Sequence, residues 1–152
     1  SSFRLCLPRN EASPRKSEPS GAHTPLTRKP RLLLIDDEVL LLRSLTRYLK
    51  RHFEVIAVES VAEATAALAE DQGPRPDVVL CDVMMPDDGG PAIYQRVVER
   101  DEALAERFVF MTGGAFERDA SSFLDGLKNR VLAKPLDLPQ LLACLREVAE
   151  AR

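Results

Sequence analysis

From Arg31 onward, short apolar runs alternate five times with stretches of helical periodicity, and no other feature restricts the fold as much. The runs are "RLLLID", "FEVIAVE", "PDVVLCD", "RFVFMT" and "RVLAK". "RLLLID" is apolar right up to its acids, which suits a strand covered on both faces. The intervening and closing stretches are "EVLLLRSLTRYLKRH", "SVAEATAALAEDQG", "GPAIYQRVVERDEAL", "AFERDASSFLDGL" and "LDLPQLLACLREVAEAR". Each repeats apolar residues at helical spacing, the fourth most weakly. Ser60 with Glu63 forms a capping-box pattern, and Gly73 closes the second helix. Lys50, Arg51 and His52 favour the C-terminus of the first, and Pro139 fits the first turn of the last. Five consecutive strand-then-helix units predict an α/β domain with a parallel sheet and helices on both faces. Right-handed crossovers leave only a few doubly wound strand orders.

The residues before Arg31 are a different polymer. Residues 1–30 carry net charge +4, whereas residues 31–152 carry −7. Residues 9–30 are rich in Pro, Ser and charge and have no apolar period, so they cannot bury enough surface to offset their ordering entropy. They are expected to be a linker. Residues 1–8, "SSFRLCLP", alternate Phe3, Leu5 and Leu7 with polar or small neighbours, as a strand does, and have no local partner. They read as the remnant of an upstream domain, with residues 31–152 as the folded unit. No further domain is expected after the fifth helix. The overall charge of −3 does not suggest a nucleic-acid surface. No apolar run is long enough to cross a bilayer, and no signal peptide is evident. Cys6, Cys81 and Cys144 have no metal-ligand spacing and read as buried free thiols in a reducing compartment. A cytoplasmic location is expected.

The polar residues that end the strands carry the chemistry. Strand 1 ends in Asp36 and Asp37, strand 3 in Asp82, strand 4 in Thr112 and strand 5 in Lys134. In open α/β sheets the ligand crevice lies outside the carboxyl ends of the strands, where the strand order reverses. In the flavodoxin-like order 2-1-3-4-5, strands 1 and 3 flank that point. Three acids, a hydroxyl and an ammonium then converge. Gathered carboxylates repel unless a cation sits among them, and all-oxygen ligation suits Mg²⁺. A lysine opposite the acids fits an incoming phosphoryl group. Asp82 could act as a carboxylate nucleophile, with Lys134 and Thr112 meeting the phosphoryl oxygens. Each residue also has a plainer reading. Asp37 could cap the first helix, Thr112 could be a turn residue before Gly113, Lys134 could be solvated, and a single Asp after a strand is often a turn former. The joint placement at successive strand ends favours the site.

These residues lie in "LLIDDE", "VVLCDVMMPDDGG", "VFMTGG" and "LAKPLD", and with them residues 31–150 closely resemble the receiver domain of two-component response regulators. The resemblance implies a phosphoacceptor at Asp82. It implies Mg²⁺ ligation by Asp37, Asp82 and the backbone carbonyl of Met84, with Asp36 holding a metal-bound water. Thr112 and Lys134 would contact the phosphoryl oxygens, and the Lys134–Pro135 bond is often cis in the family. Two positions depart from the family pattern. The aromatic usual three residues before the lysine is Val131, which puts the familiar coupling of Thr112 to an aromatic rotamer in doubt. Met84 stands where a polar residue is frequent and cannot orient an attacking water, so slow self-hydrolysis is expected. "SSFRLCLP" is similar to the last strand of a histidine kinase ATP-binding domain. That order of segments implies the C-terminal receiver of a hybrid histidine kinase; the alternative is a leader ahead of a single-domain response regulator.

The first helix has more apolar residues than a half-buried helix needs: Val39, Leu40, Leu41, Leu42, Leu45, Tyr48 and Leu49. The surplus is either a docking face for phosphohistidine-bearing helices, as the resemblance implies, or the mark of a deeply wedged helix. His23 and His52 have no catalytic neighbours, so the phosphodonor is expected on another domain or chain. A phosphorylation-independent docking module and an aspartyl-phosphate hydrolase are the rival classes. The first would tolerate loss of Asp82, Asp37 or Lys134, all of which are present. The second needs an acid where Met84 stands.

Overall fold

The computed structural model describes residues 29–69, 73–86, 89–113 and 123–151. The expected remnant at 1–8 and all of the linker up to residue 28 lie outside these, as does most of the fourth expected helix, of which residues 123–125 are described as helical. The elements are β1 (Arg31–Ile35), α1 (Val39–Leu49), β2 (Glu54–Val58), α2 (Val61–Ala67) and β3 (Val78–Asp82). They continue with α3 (Gly89–Arg100), a single turn α4 (Glu102–Ala105), β4 (Phe108–Thr112), β5 (Arg130–Ala133) and α5 (Leu138–Glu150).

The five strands are parallel in the order β2-β1-β3-β4-β5, as the alternation predicted. β3 and β4 are buried along their whole length. Side chains alternate across each strand and feed two cores. Leu33, Val79, Cys81, Phe108 and Phe110 pack with Ala64 of α2 and with Ile93 and Val97 of α3. Leu32, Leu34, Leu80, Val109 and Met111 pack with Leu42, Leu45 and Leu49 of α1 and with Leu141 and Leu145 of α5. Each of the Val, Leu, Ile, Phe and Met side chains among them contributes about 1.5–3 kcal/mol by leaving water, which makes the two layers the main source of stability. Among the described residues no helix is long and apolar enough to cross a membrane. Cys81 and Cys144 are buried free thiols.

Local chemistry sets the element ends. Ser60 accepts the Glu63 N–H at 3.1 Å, while the Glu63 carboxylate accepts the Glu59 N–H at 2.8 Å. Lys29 donates to the Lys50 carbonyl at 2.8 Å, satisfying a carbonyl at the end of α1, and the Pro30 carbonyl accepts the Glu54 N–H at 2.8 Å. The stretch "GPAIYQRVVERDEAL" reads as one helix, but the chain breaks it at Asp101. That residue leaves helical geometry (φ −152°) and caps a new turn by accepting the Leu104 N–H at 3.1 Å. An Asp side chain competes with the helix for backbone N–H groups, and here it wins.

In α1, Leu42, Leu45 and Leu49 are buried, and Leu41 and Tyr48 pack partly against the same core. Val39 and Leu40 are exposed, Leu40 to 75%. Packing therefore accounts for most of the apolar surplus and leaves these two residues, in the first turn, without cover.

Candidate functional site

Because every strand points the same way, the groups at their C-terminal ends share one edge. Oxygens of Asp36, Asp37 and Asp82 all lie within 4.8 Å of one another. Asp36 is completely buried and uses both its oxygens. One accepts the Glu38 N–H at 2.9 Å, and the other accepts the Lys134 ammonium at 3.0 Å. Asp82 is also buried. Its Oδ1 accepts the Met84 N–H at 3.1 Å, and its Oδ2 lies 3.5 Å from Lys134 Nζ. Asp37 is exposed, and the N-cap position of α1 belongs to Glu38 rather than to Asp37. The helix-capping role open to Asp37 from sequence is therefore not the one it has.

Thr112 ends β4 and is buried, and its carbonyl accepts the Lys134 N–H at 2.7 Å, which carries the lysine backbone to the acids. The Lys134–Pro135 bond is cis. Glu38, which sequence reasoning passed over, places a carboxylate oxygen 3.9 Å from Lys134 Nζ. Its signal was a third acid directly after Asp36 and Asp37.

The acceptor's backbone is also tightly held. A Cβ at Gly90 would lie 2.9 Å from Val83 Cα and 3.0 Å from the Asp82 carbonyl oxygen, so the first turn of α3 can sit this close only with glycine. Met84 is exposed at the rim of the site, and Val131 is exposed on β5.

The electrostatics follow from burial. The Asp82 carboxyl is pushed up to about 7 by its removal from water and then by the charge of Asp36, which together outweigh Lys134 and the Met84 N–H. Burial works against the Lys134 charge, but its hydrogen bond to Asp36 and the charges of Asp82, Asp36 and Glu38 overcome this and raise it. Lys134 is therefore a fixed cation. Burial, followed by Asp82 and Asp36, pushes the Cys81 thiol up and keeps it un-ionised, so it packs rather than reacts. A separate cavity of about 220 Å³ lies between α2 and α3, remote from the acids. Arginines line it, of which Arg75 pairs with Asp101 at 2.9 Å and Arg96 donates to Thr65 at 3.0 Å.

A doubly wound sheet with acids and one lysine at its carboxyl edge is built to take a cation and an anion together. Residues 32–146 match the family model of the response regulator receiver domain, and the chain belongs to that family. It is 33% identical over 116 residues to the transcriptional regulatory protein TrcR of Mycobacterium tuberculosis, covering 76% of this chain and 44% of TrcR. It is 29% identical over 128 residues to the sensor kinase CckA of Brucella abortus, covering 84% of this chain and 13% of CckA. The chain thus spans less than half the length of these curated relatives. Among solved structures, a response regulator receiver protein from Sinorhizobium medicae superposes with a TM-score of 0.66 at 28% identity, covering 81% of this chain and 96% of that one. The chain is a receiver domain of two-component signalling. Such domains work with histidine kinases and generally bind Mg²⁺ at an acidic pocket of this kind.

Proposed function

We propose that this chain takes a phosphoryl group from a phosphohistidine onto Asp82, with Mg²⁺ held by the neighbouring acids. The carrying observation is the buried Asp82 carboxylate, set between Asp36 and Lys134 at the open end of the sheet. The gathered carboxylates outnumber the one ammonium, and a divalent cation offsets the excess negative charge. An all-oxygen donor set suits Mg²⁺. Asp37 and Asp82 would hold it with the Met84 carbonyl, and Asp36 would act through water, in keeping with both Asp36 oxygens being engaged within the protein. The ion would supply positive charge that favours the ionised Asp82 and neutralises phosphoryl oxygens.

In the transfer, an Asp82 oxygen forms a bond to phosphorus and the phosphorus–nitrogen bond to the donor imidazole breaks. The electron pair of the broken bond stays with the imidazole, and an acyl phosphate results. Lys134, already between Asp36 and Asp82, is within reach of a phosphoryl oxygen, and the Thr112 hydroxyl would take another. Val39, Leu40 and Met84 expose apolar surface. They offer the donor's helices a contact close to Asp82.

The likeness to CckA, a sensor kinase, supports the reading of this receiver as part of a hybrid histidine kinase. The second reading, a response regulator in its own right, is supported by the closer identity to TrcR. The acceptor chemistry is the same in both.

Acetyl phosphate with Mg²⁺ is the test. Intact mass should show one added phosphoryl group, and chelation of the metal should abolish it. Folded chain that takes no label where a control receiver is loaded would sink the acceptor reading. Met84 cannot align a water, so Met84→Asn or Met84→Glu is expected to shorten the acyl-phosphate lifetime severalfold. An unchanged decay rate would remove that role from position 84.

A further inference from the structure

The cavity between α2 and α3 takes no part in the chemistry at Asp82, and its walls combine two characters. Ile93, Arg96, Val97 and Arg100 of α3 line it together. Their spacing is that of one helix face, so α3 turns apolar and cationic side chains to the same space. Ile93 and Val97 are buried and make the inner wall with buried Leu104 of α4, and Leu68 at the end of α2 packs against the same core. The facing side is built from small residues. α2 runs into the alanine-rich stretch "ATAALA", and Ala67 and Ala69 line the cavity where larger side chains would fill it. Protein interiors leave few voids larger than a water molecule, so a space of about 220 Å³ with an apolar wall is room for a guest.

The charged side chains that line the cavity are three arginines and one acid: Arg75, Arg96, Arg100 and Asp101. Asp101 is committed on both oxygens. Its Oδ1 accepts the Leu104 N–H at 3.1 Å, and its Oδ2 meets Arg75 Nε at 2.9 Å. Arg96 donates to the Thr65 hydroxyl at 3.0 Å, and that hydroxyl donates in turn to the Val61 carbonyl at 2.8 Å. Thr65 is a neutral partner, so this bond fixes the Arg96 side chain at the rim without balancing its charge. Pro74 and Pro76, whose rings restrict the backbone, stand on either side of Arg75.

A guanidinium is weakly hydrated and matches the geometry of a carboxylate. The cavity is smaller than the roughly 300–1,000 Å³ of pockets for drug-sized ligands, which limits the guest to a single ring or a short acyl chain. We propose that this cavity is a binding site for a small carboxylate with an apolar body. The body lies against Ile93, Val97 and Leu104, and the carboxylate meets Arg96 at the rim. A neutral guest of the same shape leaves the guanidinium unused, and a bare anion leaves the apolar wall wet. The site does not depend on the acceptor chemistry of Asp82.

Phenylacetate is the probe, with phenylacetamide as its uncharged isostere and acetate as the anion without a ring. Each is titrated into the full chain at constant pH and ionic strength, and amide chemical shifts are followed by two-dimensional NMR. Phenylacetate is expected to shift the amides of Leu68, Ala69, Val97 and Leu104 saturably. Phenylacetamide should bind roughly tenfold more weakly, in line with the worth of a hydrogen bond to a charged group, and acetate should show no saturable shift. Arg96→Gln should weaken phenylacetate by a similar factor and leave phenylacetamide unchanged. Ala67→Leu fills the cavity and should abolish the binding of both. Should Ala67→Leu not fold by circular dichroism, Ala69→Leu serves in its place. The site is overturned by the absence of a saturable shift with phenylacetate, by equal affinity for acid and amide, or by indifference to Arg96→Gln or to the filled cavity. Shifts gathered at Asp82, Thr112 and Lys134 instead of α2 and α3 would overturn it as well.

Discussion

Asp82→Ala is expected to take up no phosphoryl group, and Asp37→Ala to take it up at least about a hundredfold more slowly than wild type, the usual loss when one charge-stabilising partner is removed. The two residues lie in one cluster yet should fail differently. Asp82 provides the oxygen that bonds to phosphorus, so its loss leaves nothing to label. Asp37 is exposed and makes no capping bond to α1, so its removal costs little folding energy and withdraws one negative charge from the cation's surroundings. Higher Mg²⁺ should partly restore Asp37→Ala and should do nothing for Asp82→Ala. Time courses by intact mass, with circular dichroism as the folding check, decide the matter. Label on Asp82→Ala, or a wild-type rate in Asp37→Ala, would contradict the assignment.

The second large effect is on stability. Without metal, Asp82→Asn is expected to melt above wild type near neutral pH. Burial and Asp36 raise the folded-state Asp82 carboxyl to about 7 from an ordinary value of 3.8. Between those values the folded chain keeps a proton that the unfolded chain has lost. Stability therefore falls as pH rises through this window and levels off above it. The full shift is an upper bound, since solvent screens the site, and a gain of about 2 kcal/mol in the variant is expected. That corresponds to roughly 5–10 °C in Tm. The gap should vanish near pH 4, where both chains are neutral at this position. It should also narrow in Mg²⁺, which stabilises wild type by mass action. Melting curves from pH 4 to 8, with and without Mg²⁺, test all three. Equal melting temperatures at pH 8 without metal would show that Asp82 is not strained by its surroundings.

The alternation of runs from Arg31 onward carried the sheet, its order and its two-sided cover, because parallel strands buried on both faces must be apolar throughout. It also carried the positions of Asp36, Asp82, Thr112 and Lys134, since a parallel sheet has only one carboxyl edge. What it could not carry is how adjacent residues divide the work. In "IDDE" nothing local says that Asp36 is buried with both oxygens engaged while Asp37 is exposed; the lysine that decides it lies 98 residues away. The break at Asp101 was hidden for a related reason, because helical periodicity continues across it while a side-chain cap resets the backbone. The edge-on packing of Tyr94 with Phe110 and Phe123, and the Tyr94 hydroxyl's bond to Asn129, were invisible because these residues belong to segments that meet only after folding.

The Lys134–Asp36 pair joins the first strand of the sheet to the residue just beyond the last. Closing so long a loop is entropically unrewarded until the strands between are in place. During synthesis the acids emerge first and stay without their cation until β5 has been made and docked. A nascent or clipped chain lacking that last strand has no ammonium at position 134 to meet the charge gathered at the acids. The acids therefore gain their counter-charge only once the whole sheet has assembled.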